Sequence, residues 1–226
     1  MIDAALFDFS GTLFRLDYSD DVLLALLGEH AAGVGPEQRA DLLRRVTTPH
    51  GLHSGLTEEE ERDWHNRDLD PAAHERANIA VLRLAGLAEE IATSFYGGMK
   101  DAANWTPYPD TEATLRLLRE RGVPVAVISN IAWDVRPCFE RAGVADLVDE
   151  YVFSFEHGVQ KPDERIFKIA CERLGVAPER SLMIGDSEPA DGAARDVGCD
   201  FALVAPLPTA ERPDALLTII RRALAA

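Results

Sequence analysis

The chain of 226 residues carries 23 basic and 39 acidic side chains, a formal charge of −16, with 46% hydrophobic and 27% charged residues. This size suits one substantial core plus a smaller second one, and the composition is that of a soluble globular protein. So acidic a chain argues against a nucleic acid partner, and no run reaches the roughly 18 apolar residues of a membrane span. A phosphorylated substrate would have to be drawn in by a local cation or by helix N-termini.

Cys138, Cys171 and Cys199 show no CxxC spacing, which predicts free thiols in a reducing compartment. The N-terminus runs directly into an apolar segment without a basic or leader-like stretch, so the expected location is cytoplasmic.

In chain order, Ala5-Leu6-Phe7-Asp8-Phe9-Ser10-Gly11-Thr12-Leu13-Phe14 reads as a buried strand that delivers one acid, Asp8, to a tight turn. Helical patterns follow without strands. Ser19–His30 has acids in its first turn and Val22, Leu23, Leu26 and Leu27 on one face. A second runs over 36–46, and Thr57-Glu58-Glu59-Glu60 is a capping-box string opening a third. Pro71–Leu84 closes at Gly86, and Ala88–Tyr96 is broken by Gly97-Gly98. From Pro107 the texture changes. Helices are predicted from Asp110, as N-cap, to Gly122, and over 134–142, 162–174 and 213–225. Strands are predicted over 123–129, 151–154, 181–185 and 200–204, and 206–213 reads as a Pro-rich surface connection. Strands alternating with helices of this length predict a doubly wound parallel α/β sheet. Residues 1–15 and 101–226 therefore form the expected core domain, and 16–100 an α-helical cap domain, joined through Arg15–Tyr18 and about Lys100–Thr106.

Polar residues of complementary kinds stand at the ends of these strands. An acid there faces the crevice in which open α/β sheets bind ligands. Asp8 is a candidate nucleophile, Ser129 and Asn130 offer a hydroxyl and an amide, Lys161 offers a cation, and Asp186 with Asp191 a second acidic cluster. Taken singly, Ser129-Asn130 also reads as a turn, Lys161 as a solvated cation and Asp191 as a surface acid near a helix start. Their order along the chain is what chance explains poorly.

With DFSGTLF, VISN, VQKPDERIF and LMIGDSEPAD in this order, the sequence resembles the haloacid dehalogenase superfamily of hydrolases. The resemblance spans the whole chain, and the helical insert lies where capped members carry theirs. It implies an aspartyl intermediate on Asp8, with Mg²⁺ held by Asp8, the Ser10 main-chain carbonyl and Asp186, and Asp191 assisting directly or through water. It further implies that Lys161 neutralises Asp8 and the phosphoryl group while Ser129, Asn130 and nearby N–H groups bind phosphoryl oxygens. Thr12 shapes the turn. The expected partner is a small phosphorylated molecule; the oligomeric state is not legible.

Ser10 departs from the pattern. Phosphatases of the superfamily usually carry a second aspartate there as general acid and base, and losing such a group costs about 10²–10⁴ in rate. One reading keeps a phosphohydrolase, either with a leaving group that needs little protonation or with an acid from the cap, for which His50 and His53 are candidates. A second is a dehalogenase-like enzyme acting at carbon, although such enzymes usually have tyrosine at this position and need no metal. Phosphonoacetaldehyde hydrolases keep the metal but require a cap lysine, and 16–99 contains none. A third is a phosphate- or metal-binding protein with impaired turnover. Arg44, Arg45 and Trp64 are candidate substrate contacts from the cap.

Overall fold

The computed structural model of the protein describes residues 2–17, 20–28, 35, 37 and 55–225. Among them one five-stranded parallel sheet has the order β5-β4-β1-β6-β7, formed by β1 (Ala4–Phe7), β4 (Val125–Ser129), β5 (Glu150–Phe153), β6 (Ser181–Gly185) and β7 (Asp200–Leu203). Successive side chains of a strand point to opposite faces. Ala5 and Phe7 accordingly join Val125, Val127, Leu182 and Ile184 in one core layer, while Leu6 joins Ala126, Ile128, Val152 and Met183 in the other. Helices α5 (Thr111–Glu120), α6 (Arg136–Arg141) and α9 (Ala215–Ala225) cover the first layer through Leu115, Leu118, Cys138, Phe139, Leu216 and Ile220. Helix α8 (Glu164–Leu174) covers the second through Ile166, Phe167 and Ala170, and a short α7 (Ser154–His157) follows β5. With both faces covered, strands of continuous apolar residues are stable as a parallel sheet. This is the expected doubly wound α/β fold.

Between β2 (Phe14–Leu16) and β3 (Trp105–Pro107) lie α1 (Asp20–Leu27), α2 (Glu58–Asn66), α3 (Pro71–Leu84) and α4 (Glu89–Lys100). The capping box is present: Thr57 N donates to Glu60 Oε2 at 2.7 Å and Glu60 N to Thr57 Oγ1 at 3.3 Å. Asp70 caps α3 by accepting from Ala72 N at 2.9 Å, with Pro71 in the first turn.

The structure differs from expectation in several places. The joints expected as mere connections pair instead: Arg15 lies opposite Thr106 and Leu16 opposite Trp105 in an antiparallel ladder, too short for an alternating pattern to show in sequence. Helix α4 continues through Gly97 and Gly98 to Lys100. Each glycine disfavours a helix interior by about 1 kcal/mol. Tertiary partners offset this: Asn104 Nδ2 donates to Gly98 O and Trp105 Nε1 to Met99 O, both at 2.8 Å, satisfying carbonyls of the last turn. Asp110 stands before α5 but makes no cap bond; its Oδ2 accepts from Leu217 N at 3.0 Å and ties α9 to α5. Most of the helix expected over 36–46 and the residues Arg44, Arg45, His50 and His53 lie outside the described residues.

Candidate functional site

The carboxyl ends of β1, β4 and β6 are neighbours, because Phe7 pairs with Val127 on one side and with Ile184 on the other. Chain order and spatial order diverge here, since the strands after β1 go first to one side and then to the other, which opens a crevice at this edge. Asp8, Ser129 and Asp186 therefore face one space. The loop before α8 adds Lys161, and the 3-10 turn Asp191–Val197 adds Asp191. A cavity of about 440 Å³ opens on these residues, within the range of small-molecule sites.

At its floor Lys161 Nζ donates to Asp8 Oδ1 and Asp191 Oδ1, both at 2.6 Å, and to Ile128 O at 3.1 Å. Asp191 Oδ2 accepts from Ser187 N at 2.9 Å, so its carboxylate is held at both oxygens. Carboxylate oxygens of Asp8, Asp186 and Asp191 lie within 4.8 Å of one another. Two of these three carboxylates, the buried Asp8 and Asp191, share the single ammonium of Lys161. Burial raises the Asp8 carboxyl to about 8, with Asp191 and Asp186 adding to the rise and Lys161 opposing it. Burial alone would lower the Lys161 pKa; Asp191 and Asp8 overcome that and hold the ammonium above its ordinary value. An oxygen-only, buried, electron-rich cluster of this kind fits a hard divalent cation.

The turn that carries Asp8 is clamped. Asp8 N donates to Ile184 O at 2.9 Å, and Leu13 N and Phe14 N both donate to Phe9 O. Gly11 has φ +75°, and a Cβ there would collide with the Asp186 carboxylate. Buried Arg212 donates to Gly11 O at 2.7 Å and to Thr12 O, with its guanidinium over the Tyr108 ring. The 206–213 connection is thus more than a surface segment. Pro206 O accepts from Arg15 at 2.7 Å and Leu207 O from Tyr108 Oη at 2.9 Å, so this segment braces the turn from outside. The sequence pattern could not reveal it, because the partners lie about 100 to 200 positions away.

Of the remaining expected residues, Ser129 is buried and lines the cavity, and Ser10 lines it from the exposed side. Asn130 has a different task from the expected one. Its Oδ1 accepts from Lys161 N at 2.7 Å and its Nδ2 donates to Lys161 O at 2.8 Å, so both ends of the amide place the lysine. Trp64 is in the cavity wall, with Arg67 stacked on its ring at 4.1 Å.

The wall also holds Arg67, Asp68, His74, Asn78 and Met99, none of which sequence reasoning singled out. A signal existed for two of them: His74 and Asn78 stand four apart on the buried stripe of α3, where apolar residues belong. Burial lowers the His74 pKa to about 4, so its ring is neutral near pH 7. It contacts Tyr96 Oη at 3.2 Å and Asn78 Nδ2 at 3.1 Å.

Fold and site together define an α/β protein with a carboxylate cluster at the carboxyl edge of its sheet. The sequence pattern of the haloacid dehalogenase-like hydrolases matches residues 2–198, and the chain belongs to that family of hydrolases. It is similar to the glyceraldehyde 3-phosphate phosphatase of Methanopyrus kandleri, 32% identical over 198 residues, covering 82% of this chain and 76% of that protein. A phosphoserine phosphatase of Thermus thermophilus is 35% identical over 105 residues, 46% of this chain and 41% of that protein. Among solved structures, L-2-haloacid dehalogenase from Xanthobacter autotrophicus superposes with a TM-score of 0.66 at 23% identity, over 96% of this chain and 83% of that one. At that identity the likeness is one of fold. Among the described residues no helix is long and apolar enough to cross a membrane.

Proposed function

We propose that the protein is a Mg²⁺-dependent phosphatase of small phosphorylated metabolites that works through an aspartyl-phosphate on Asp8, with residues 16–100 as a cap over the site. The observation that carries this reading is the Asp8–Lys161–Asp191 chain beside Asp186, a nucleophile held between a cation and an acidic cluster. The phosphatase relatives support it.

Asp8, Asp186 and the Ser10 carbonyl would hold the ion, with Asp191 alongside. Bound there, Mg²⁺ supplies the positive charge that lets a carboxylate approach a phosphoryl anion. The chain's own groups do the rest. Asp8 would supply the attacking carboxylate oxygen, and Lys161 and the β1–turn backbone fix its direction. Lys161 stabilises charge on the phosphoryl oxygens, and Asn130 and Asp191 keep its ammonium in place. The Ser129 hydroxyl, which lines the cavity, would donate to a phosphoryl oxygen. The cavity wall from α2 to α4 limits substrate size and water access.

The test is phosphate release from p-nitrophenyl phosphate, acetyl phosphate and small phosphomonoesters, with Mg²⁺ and with EDTA. Mg²⁺-dependent release that Asp8→Asn abolishes is expected. Release that persists in EDTA or in Asp8→Asn, or halide release from a 2-haloacid in its place, refutes the reading.

A further inference from the structure

We propose that Asp68 is the general acid and base of this site, taking the part that Ser10 cannot. The inference rests on the phosphatase reading above.

Among the described residues, the titratable side chains that line the cavity are Asp8, Arg67, Asp68, His74, Lys161, Asp186 and Asp191. Asp8 is the nucleophile, and Asp186 and Asp191 belong to the acidic cluster. Lys161 is bonded to two carboxylates and Arg67 is permanently charged. Neutral His74 holds no proton of useful acidity near pH 7. Asp68 is what remains. Its side chain is only 12% exposed, and burial raises its pKa, against the pull of Arg67 and Lys161. A carboxyl so placed is better able to carry a proton near neutrality than an exposed one.

Its position is fixed to the core rather than to the helices alone. Ser154 Oγ donates to Asp68 O at 2.5 Å and accepts from Ile131 N at 2.9 Å, two residues beyond Ser129. Residue 68 is thereby seated one hydroxyl away from the end of β4. On its other side Arg67 Nη2 lies 3.5 Å from Asp68 Oδ2, and Arg67 is itself held by Trp64 O at 2.7 Å. Asp68 and Ser10 line the same cavity.

The steps balance. An Asp8 oxygen forms a bond to phosphorus while the bond from phosphorus to the ester oxygen breaks; that oxygen takes the electron pair and the Asp68 proton and leaves as an alcohol. Water then attacks phosphorus and gives a proton to the Asp68 carboxylate. The bond from phosphorus to Asp8 breaks, inorganic phosphate leaves, and both carboxyl groups return to their starting states.

The experiment is a rapid-quench first turnover with Mg²⁺, which isolates transfer to Asp8. In Asp68→Asn, release of glycerol from glycerol phosphate slows by about 10²-fold or more. Release of dinitrophenolate from 2,4-dinitrophenyl phosphate, which needs no proton, changes by less than about threefold. Adding Ser10→Asp to that variant returns a carboxyl to the cavity and recovers at least about tenfold of the lost rate. Wild type, independently of any variant, shows a shallow dependence of first-turnover rate on leaving-group pKa. Equal slowing of both esters, no slowing, no recovery by Ser10→Asp, or a steep dependence in wild type overturns the inference while leaving the phosphatase reading in place. No phosphate release by wild type from any ester or from acetyl phosphate removes both.

Discussion

Replacing Lys161 with methionine preserves the length of the side chain and removes the one ammonium that faces Asp8 and Asp191, each at 2.6 Å. At an effective dielectric of about 20, a unit charge pair at that separation attracts by roughly 6 kcal/mol, most of it offset by the cost of desolvating the charges. Deleting one member of such a buried set typically leaves a net loss of about 3–5 kcal/mol. The sign of the pH dependence follows from Asp8. Its carboxyl is raised by burial to about 8, and a carboxyl raised in the folded state favours the fold at low pH and loses that contribution as pH climbs through the folded value. Without the ammonium the folded value moves higher still. Lys161→Met is therefore less stable than wild type by about 3–5 kcal/mol at both pH values, and because Asp8 begins to ionise in wild type but not in the variant, the deficit grows by up to roughly 0.8 kcal/mol between about pH 5.5 and about pH 8.5. Urea unfolding followed by far-UV circular dichroism at both pH values, in EDTA, measures it. A difference below about 1 kcal/mol at either pH, or one that shrinks as pH rises, would refute the charge accounting of the site.

Two other expectations are independent of that one. A Cβ at Gly185 would collide with the Asp191 carboxylate, so Gly185→Ala displaces it from Lys161. Turnover should fall by about 10²-fold or more while circular dichroism stays native; activity within about threefold of wild type would mean that Asp191 does not hold the lysine. His74 has a folded-state pKa near 4 against an ordinary 6.5, so the unfolded chain binds the extra proton. Stability rises with pH across that window by roughly 3 kcal/mol, and His74→Gln should flatten this part of the unfolding profile. An unchanged slope would show that His74 is not the group responsible.

The sequence by itself determined the sheet and its chemistry-bearing ends. Fully buried parallel strands must be short apolar runs, so β1, β4 and β6 are legible, and a polar residue immediately after such a run has only the crevice to face. Asp8, Ser129 and Asp186 were found this way, and the order of the four motifs identified the family. Helix starts at Thr57 and Pro71 were equally legible, because a capping box and a first-turn proline are local features of near neighbours.

Only the tertiary structure decided what depends on distant partners. Asn130 looks like a ligand group in sequence, yet its amide closes on the Lys161 main chain, 31 residues away. Arg212 holds the turn after Asp8 from 201 residues away, and α4 runs through two glycines because Asn104 and Trp105 satisfy its last carbonyls. Asp68 carries no motif at all. Its burial and its seat on Ser154 arise when the helical segment closes on the carboxyl edge of the sheet. Periodicity records which face of an element is apolar; it holds no information about which polar group from another part of the chain will meet it there.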